Sequence, residues 1–149
     1  MMPQDHDYRL LMTVMISWTA AQFVKVPINY LITRRWEWRL MFTTGGMPSS
    51  HAALVTSTAL SIGLFTGFDT PSFAIAMALA LVVMYDAAGV RRQAGFHAQQ
   101  INLLVNELLS GHQVSEKRLK EVLGHSPLEV TAGMIFGIIT SLIIWAIWS

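Results

Sequence analysis

The sequence predicts an all-α fold: an integral-membrane helical bundle of about four transmembrane helices, with one or two amphipathic helices at its surface. Three observations carry that prediction. Apolar residues make up 53% of the chain and charged residues only 13%, about half the charged share of an ordinary soluble domain. Long stretches carry no charge at all, the clearest being Val130 to Trp148. Arginine and tryptophan gather between those stretches, as Arg34-Arg35-Trp36-Glu37-Trp38-Arg39, and this pairing anchors a chain at a bilayer surface. At 149 residues the chain fits one membrane-embedded domain, 1–149.

The elements follow in order. The first apolar segment starts at Tyr8; extended through Ile32, it reaches the roughly 20 residues that a span needs. Pro27 stands where it would kink that helix. Asp5, His6 and Asp7 ahead of it are the wrong charge for a signal peptide, so the segment is expected to be retained. The second segment, 51–67, is rich in Ala, Ser and Thr and follows the small-residue turn Gly45-Gly46-Met47-Pro48-Ser49-Ser50-His51. Asp69-Thr70-Pro71 is a helix start, with a capping residue and then Pro at the first position, so the third segment covers 71–88. Asp86 falls in its last turn, and Gly89, Arg91 and Arg92 come after it.

Region 95–123 has a different pattern. Ile101, Leu104, Val105, Leu108 and Leu109 recur at helical spacing among Gln and Asn, as in an amphipathic surface helix. Ser115 to Leu123 reads as a second, short, basic helix. The fourth span, 127–148, opens on Ser126-Pro127-Leu128-Glu129, a capping-box signature. Gly133 and Gly137 give it a small-xxx-small face, which suits either packing inside the bundle or a homo-oligomer contact between two copies.

Four spans put both termini on one side, side A. Side B then holds Lys25, Arg34, Arg35, Arg39, Arg91, Arg92, Lys117, Arg118 and Lys120, nine of the ten Lys and Arg residues. The positive-inside rule places side B in the cytoplasm, with a bacterial inner membrane as the expected location. The chain has no cysteine, which excludes disulfides, a thiolate nucleophile and thiolate metal sites. No metal, cofactor or nucleic-acid partner is expected.

The polar residues cluster at the side-B ends of the helices. A turn of small residues running into a helix N-terminus receives a phosphate or another anion well. Ser49, Ser50 and His51 start the second segment, while His125 and Glu129 start the fourth. Lys25, Arg34, Asp86, Arg91 and Arg92 lie near the ends of the other two. Each has a plainer reading. A histidine at a helix start is often a cap or a surface residue, Glu129 serves the capping box, and Lys25, Arg34 and Arg35 suit snorkelling anchors.

Two motifs carry a family resemblance. Pro48-Ser49-Ser50-His51 resembles the Pro-Ser-Gly-His block of the type 2 phosphatidic acid phosphatase superfamily. His125-Ser126-Pro127-Leu128-Glu129 resembles that superfamily's His-x-x-x-Asp block. With Tyr85-Asp86-Ala87-Ala88-Gly89-Val90-Arg91-Arg92, the combination is similar to the divergent branch named acid phosphatase/vanadium-dependent haloperoxidase-related. The sequence departs from the superfamily pattern in three places. Lys25 is followed by eight residues and Arg34, with no Pro after it; more than thirty residues separate Arg92 from His125; and Glu129 stands for Asp. His97 falls at the superfamily spacing from Arg91, but Ile101 stands where its acid belongs.

The resemblance implies metal-free hydrolysis of a membrane lipid phosphomonoester, of phosphatidylglycerophosphate or phosphatidic acid type, through a phosphohistidine. His125 would be the nucleophile, Glu129 would hold its imidazole, and His51 would be the proton donor. Lys25, Arg34, Ser49, Ser50, Arg91 and Arg92 would hold the phosphate, with Asp86 orienting an arginine. The alternative is a non-catalytic membrane protein that binds anionic headgroups with the same cluster. A haloperoxidase ranks third, because nothing in the chain resembles a soluble oxidant-handling domain.

Overall fold

A computed structural model describes residues 6–43, 45–108 and 124–148. The described residues form five α-helices and one 3₁₀ turn: α1 (His6–Thr33), the turn Trp38–Phe42, α2 (Ser50–Thr66), α3 (Pro71–Ala88), α4 (Val90–Leu108) and α5 (Pro127–Trp148). Among them there is no strand. The predicted short helix at Ser115–Leu123 lies outside the described residues.

The chain is a helical membrane protein. Among the described residues three helical stretches are long and apolar enough to cross a bilayer: Tyr8–Thr33, Pro71–Leu108 and Pro127–Trp148. Large apolar side chains face outward along them, among them Leu11, Ile75, Val82, Ile139 and Ile143. The interior is built of small residues instead. In lipid, burying a leucine brings no hydrophobic gain, so helices associate through close packing and hydrogen bonds between small side chains.

α2 is the central helix. It packs against α1, α3 and α5, while α3 touches α5 only lightly. Its 17 residues rise about 26 Å, just short of the ~30 Å hydrocarbon core. Ala52, Ala53, Val55, Thr56, Ser57, Ala59 and Ser61 are all buried in it. α1 turns Thr13, Ser17, Ala21 and Lys25 inward, four residues apart, and all four are fully buried. Pro27 lies inside α1, and the helix continues through it to Thr33. Hydroxyls tie the layers together: Thr140 Oγ1 donates to Ser17 Oγ at 2.8 Å, and Ser61 Oγ to Ser141 Oγ at 3.5 Å.

Gly133 and Gly137 let α5 close onto α2. A Cβ on Gly133 would collide with the Ser49 carbonyl oxygen and stand 2.9 Å from Ala52 Cβ; one on Gly137 would lie 2.7 Å from the Ala53 carbonyl oxygen. The glycine face is thus filled within one chain, the first of the two packings that the sequence left open.

The predicted helix starts are present, each with its cap. Thr70 Oγ1 accepts from Phe73 N at 3.3 Å ahead of Pro71. Ser126 Oγ accepts from Glu129 N, while Glu129 Oε2 accepts from Ser126 N at 2.7 Å, closing the capping box. At side A, Arg9 donates to the Trp148 carbonyl at 3.2 Å, which brings the start of α1 to the end of α5. One boundary differs from the sequence reading. The helix resumes at Val90 rather than at residue 95, so Arg91 and Arg92 belong to the first turn of α4 rather than to a loop. α4 packs only on α3 among the described elements.

Candidate functional site

Three helix ends meet at side B. Ser49 is the N-cap of α2, its Oγ accepting from Ala52 N at 3.3 Å. Its own backbone N–H donates to the Glu129 carbonyl at 2.9 Å. That bond joins the start of α2 to the first turn of α5, and the glycine packing just below holds the two helices at that distance. His51 and His125, 74 residues apart in sequence, are thereby brought face to edge, with ring centroids 6.0 Å apart and planes at 85°. His51 is half-buried. His125 is only 5% exposed, and its Nε2 is shielded from solvent.

Lys25 enters from α1 and is completely buried. Its Nζ donates to the Thr43 carbonyl at 3.2 Å and to Ser50 Oγ at 3.4 Å. A buried ammonium is tolerated only with partners of this kind. Glu129 is the nearby countercharge acting on it, and both line a cavity of about 140 Å³ together with Asn29, Leu40, Gly46 and Met47. Gly46 takes φ +91°, which brings the loop backbone against the Lys25 stem.

The structure therefore gathers Lys25, Ser49, Ser50, His51, His125 and Glu129 at one place. The other predicted residues are distributed differently. Arg34 lies exposed one residue past α1, with φ +60° and its N–H bonded to the Tyr30 carbonyl; it does not line the Lys25 cavity. The adjoining segment is pinned by a stack of Tyr30, Trp36 and Trp38, with centroids 4.7 and 5.5 Å apart. Asp86 is half-buried near the end of α3. Arg92 is half-buried, its guanidinium 5.5 Å from the centre of the Phe96 ring. The backbone of Arg91 lies beside it in α4. His97 is exposed on α4 and lines a separate open cavity of about 540 Å³ with Tyr85, Gly89 and Gln93.

Two members of the cluster were invisible to motif reading. The Thr43 carbonyl and the Ser49 N–H act through the backbone, which no side-chain pattern reports. Asn29 carried a weak signal: it lies four residues after Lys25, on the same face of α1.

A family model described as "Divergent PAP2 family" matches residues 6–140. The chain belongs to this family. It is also similar to a protein of Bacillus subtilis (strain 168) described as "Uncharacterized membrane protein YuiD", with 42% identity over 135 residues, covering 83% of this chain and 85% of that protein. No solved structure matches it. The family match spans every described element except the last turns of α5, so the helix ends that form the cluster all fall within it.

Proposed function

We propose that this member of the divergent PAP2 family is a lipid phosphate phosphatase. Its substrate phosphate would sit at the side-B interface, between the starts of α2 and α5. The observation that carries the reading is the convergence of His51 and His125 from two distant helix starts. At 6.0 Å between centroids, both imidazoles can reach a single phosphoryl group.

In this reading an imidazole nitrogen of His125 attacks phosphorus and the bond from phosphorus to the lipid oxygen breaks. His51 donates a proton to the departing alkoxide, which leaves as an alcohol. Water then attacks the phosphohistidine, gives its proton to His51, and the P–N bond breaks to release inorganic phosphate. Acid–base help of this kind is worth roughly 10²- to 10⁴-fold. Lys25 supplies buried positive charge beside Ser50, the first N–H groups of α2 face the anion, and the Arg91–Arg92 turn of α4 supplies guanidinium groups. Glu129 acts as a positioning residue, because its carboxylate fixes the start of α5 and so the place of His125.

One observation favours the rival, a non-catalytic binder of anionic headgroups. Lys25, Ser49 and Glu129 each already make a structural bond, a pattern that also suits a rigid receptor. Phosphate release from short-chain lipid phosphates, measured on purified protein with chelator present, separates the two. Release that falls at least about 10³-fold in His125→Ala supports the phosphatase. No release from any lipid phosphate favours the binder. Release that survives His125→Ala sinks the nucleophile assignment, and release abolished by chelator sinks the metal-free route.

We place side B in the cytoplasm of a bacterial inner membrane, from its nine Lys and Arg residues. A cysteine introduced at Thr70 should label from outside whole cells; protection there reverses the topology.

A further inference from the structure

The helices that carry the histidines also enclose a groove deeper in the membrane. Its volume is about 280 Å³, and it is lined by Thr56 and Leu60 from α2, Met77 and Met84 from α3, and Met134 from α5. Among the described residues Thr56 is its one polar lining residue, and that hydroxyl is turned to Met84 Sδ at 3.9 Å. The groove has a structural cause. Gly133 and Gly137 draw α5 onto α2, Ala76 and Ala80 seat α3 on another side of α2, and α3 hardly meets α5. A slot is left over α2 between the two flanking helices.

Two rings, Phe68 and Phe73, stand at the side-A end of the slot. The ring of Phe68 lies directly on Gly63, where any Cβ would collide with it, and it meets Phe73 edge-on at 5.1 Å. The side-B end points to the histidine cluster. Thr56 lies five residues after His51, about 7.5 Å along α2. Across that interval the packed side chains are Ala52, Ala87, Ala88 and Val130, with Met84 as the one long flexible side chain.

We propose that this groove takes one acyl chain of the lipid bound at side B, and that the Phe68–Phe73 pair is the stop that sets the chain length accepted. The proposal rests on the lipid-phosphate reading above. From Met84 to Phe73 the groove runs eleven residues of α3, about 16 Å. An extended chain advances about 1.2 Å per bond, a third of the reach of a peptide unit, so the groove holds roughly 13 carbons. A partner helix, about 10 Å across, does not enter it. The methionine lining suits a flexible guest, because thioether side chains repack easily.

The test measures binding of n-alkyl phosphates from about 8 to about 18 carbons to the full-length protein in detergent, by native mass spectrometry under competition. In the unsubstituted protein, affinity should rise about fourfold per methylene, the equivalent of about 0.8 kcal/mol, and level off near 13 carbons. Phe68→Ala should move the plateau to longer chains. Met77→Trp, one turn nearer the mouth at a partly exposed position, should move it down by roughly four to five carbons. Micelle partition is common to all three proteins, so the shift between them is the readout. An identical plateau in all three, or a rise with no plateau, overturns the proposal. Alkyl alcohols of equal length separate the two levels: if they bind as well as the phosphates while the plateau still shifts, the groove stands and the lipid-phosphate reading fails.

Discussion

Gly133→Ala is the perturbation that most directly probes how the fold makes the site. In the middle of an exposed helix this change stabilises by about 0.5–1 kcal/mol, because glycine is the more flexible residue when unfolded. Here the new methyl would meet the Ser49 carbonyl oxygen and lie 2.9 Å from Ala52 Cβ and 3.0 Å from the Ser49 carbonyl carbon. Two of those three neighbours are backbone and cannot rotate away, so α5 has to move off α2. Overpacking of that kind costs about 1–3 kcal/mol. The shift also strains the 2.9 Å bond from Ser49 N to the Glu129 carbonyl, so the net expectation is a loss of about 1–2 kcal/mol. The thermal midpoint in detergent should fall by roughly 2–8 °C. A displacement near 1 Å between the two histidines should lower phosphate release by up to about 10²-fold. Gly45 is the control, since a Cβ there meets nothing within 4 Å, and Gly45→Ala should leave both readings nearly unchanged. A Gly133→Ala protein that is as stable and as active as the original would refute the argument that glycine contact sets the spacing of the site.

Three further outcomes follow from the same geometry. Glu129→Ala should lower stability by about 1 kcal/mol through loss of the capping box, whereas Glu129→Gln keeps the cap. Gln should therefore retain most phosphate release if Glu129 acts by positioning α5, and an equal loss in both variants would assign the carboxylate charge a direct role. Lys25→Met should raise KM for a lipid phosphate at least about tenfold, the scale of one charge-assisted bond, and should speed proteolysis near Thr43, whose carbonyl Lys25 holds; unchanged KM with faster proteolysis would make Lys25 purely structural. Thr140→Val removes the 2.8 Å bond to Ser17 and should cost about 0.6 kcal/mol by thermal unfolding, the usual worth of such a bond between membrane helices.

How far the sequence foretold these features depended on whether the signal was local. The starts at Thr70-Pro71 and Ser126-Pro127 were legible because caps act over three residues, and both caps are made as read. The uncharged run of α5 was legible because a bilayer demands length and apolarity from each span separately. The start of α4 was misplaced. Gly89-Val90-Arg91-Arg92 looks like an interfacial loop by composition, but a single bent residue, Gly89, suffices before the helix resumes at Val90. The glycine pair was read as a packing face, but its partner could not be, since nothing near Gly133 in sequence points to Ser49. The histidine pair lay between these cases. Each motif was visible, whereas their approach depends on how closely α2 and α5 pack.

The split of the first superfamily block makes a stronger point about the cluster. The resemblance casts Lys25 and Arg34 as one clamp, but a helix advances only 1.5 Å per residue, and nine residues carry Arg34 beyond the end of α1. There it stands exposed while Lys25 is fully buried. The longer spacing thus goes with one interior ammonium, Lys25, and one exposed residue, Arg34. Under the proposed function the bidentate donors that a phosphate prefers would then come from elsewhere, and Arg91 and Arg92 in the first turn of α4 are candidates by sequence. The long stretch before His125 begins with α4, whose first turn carries Arg91 and Arg92. Under the proposed function the altered first block and the long third block would be one change, in which the phosphate clamp passes from α1 to α4.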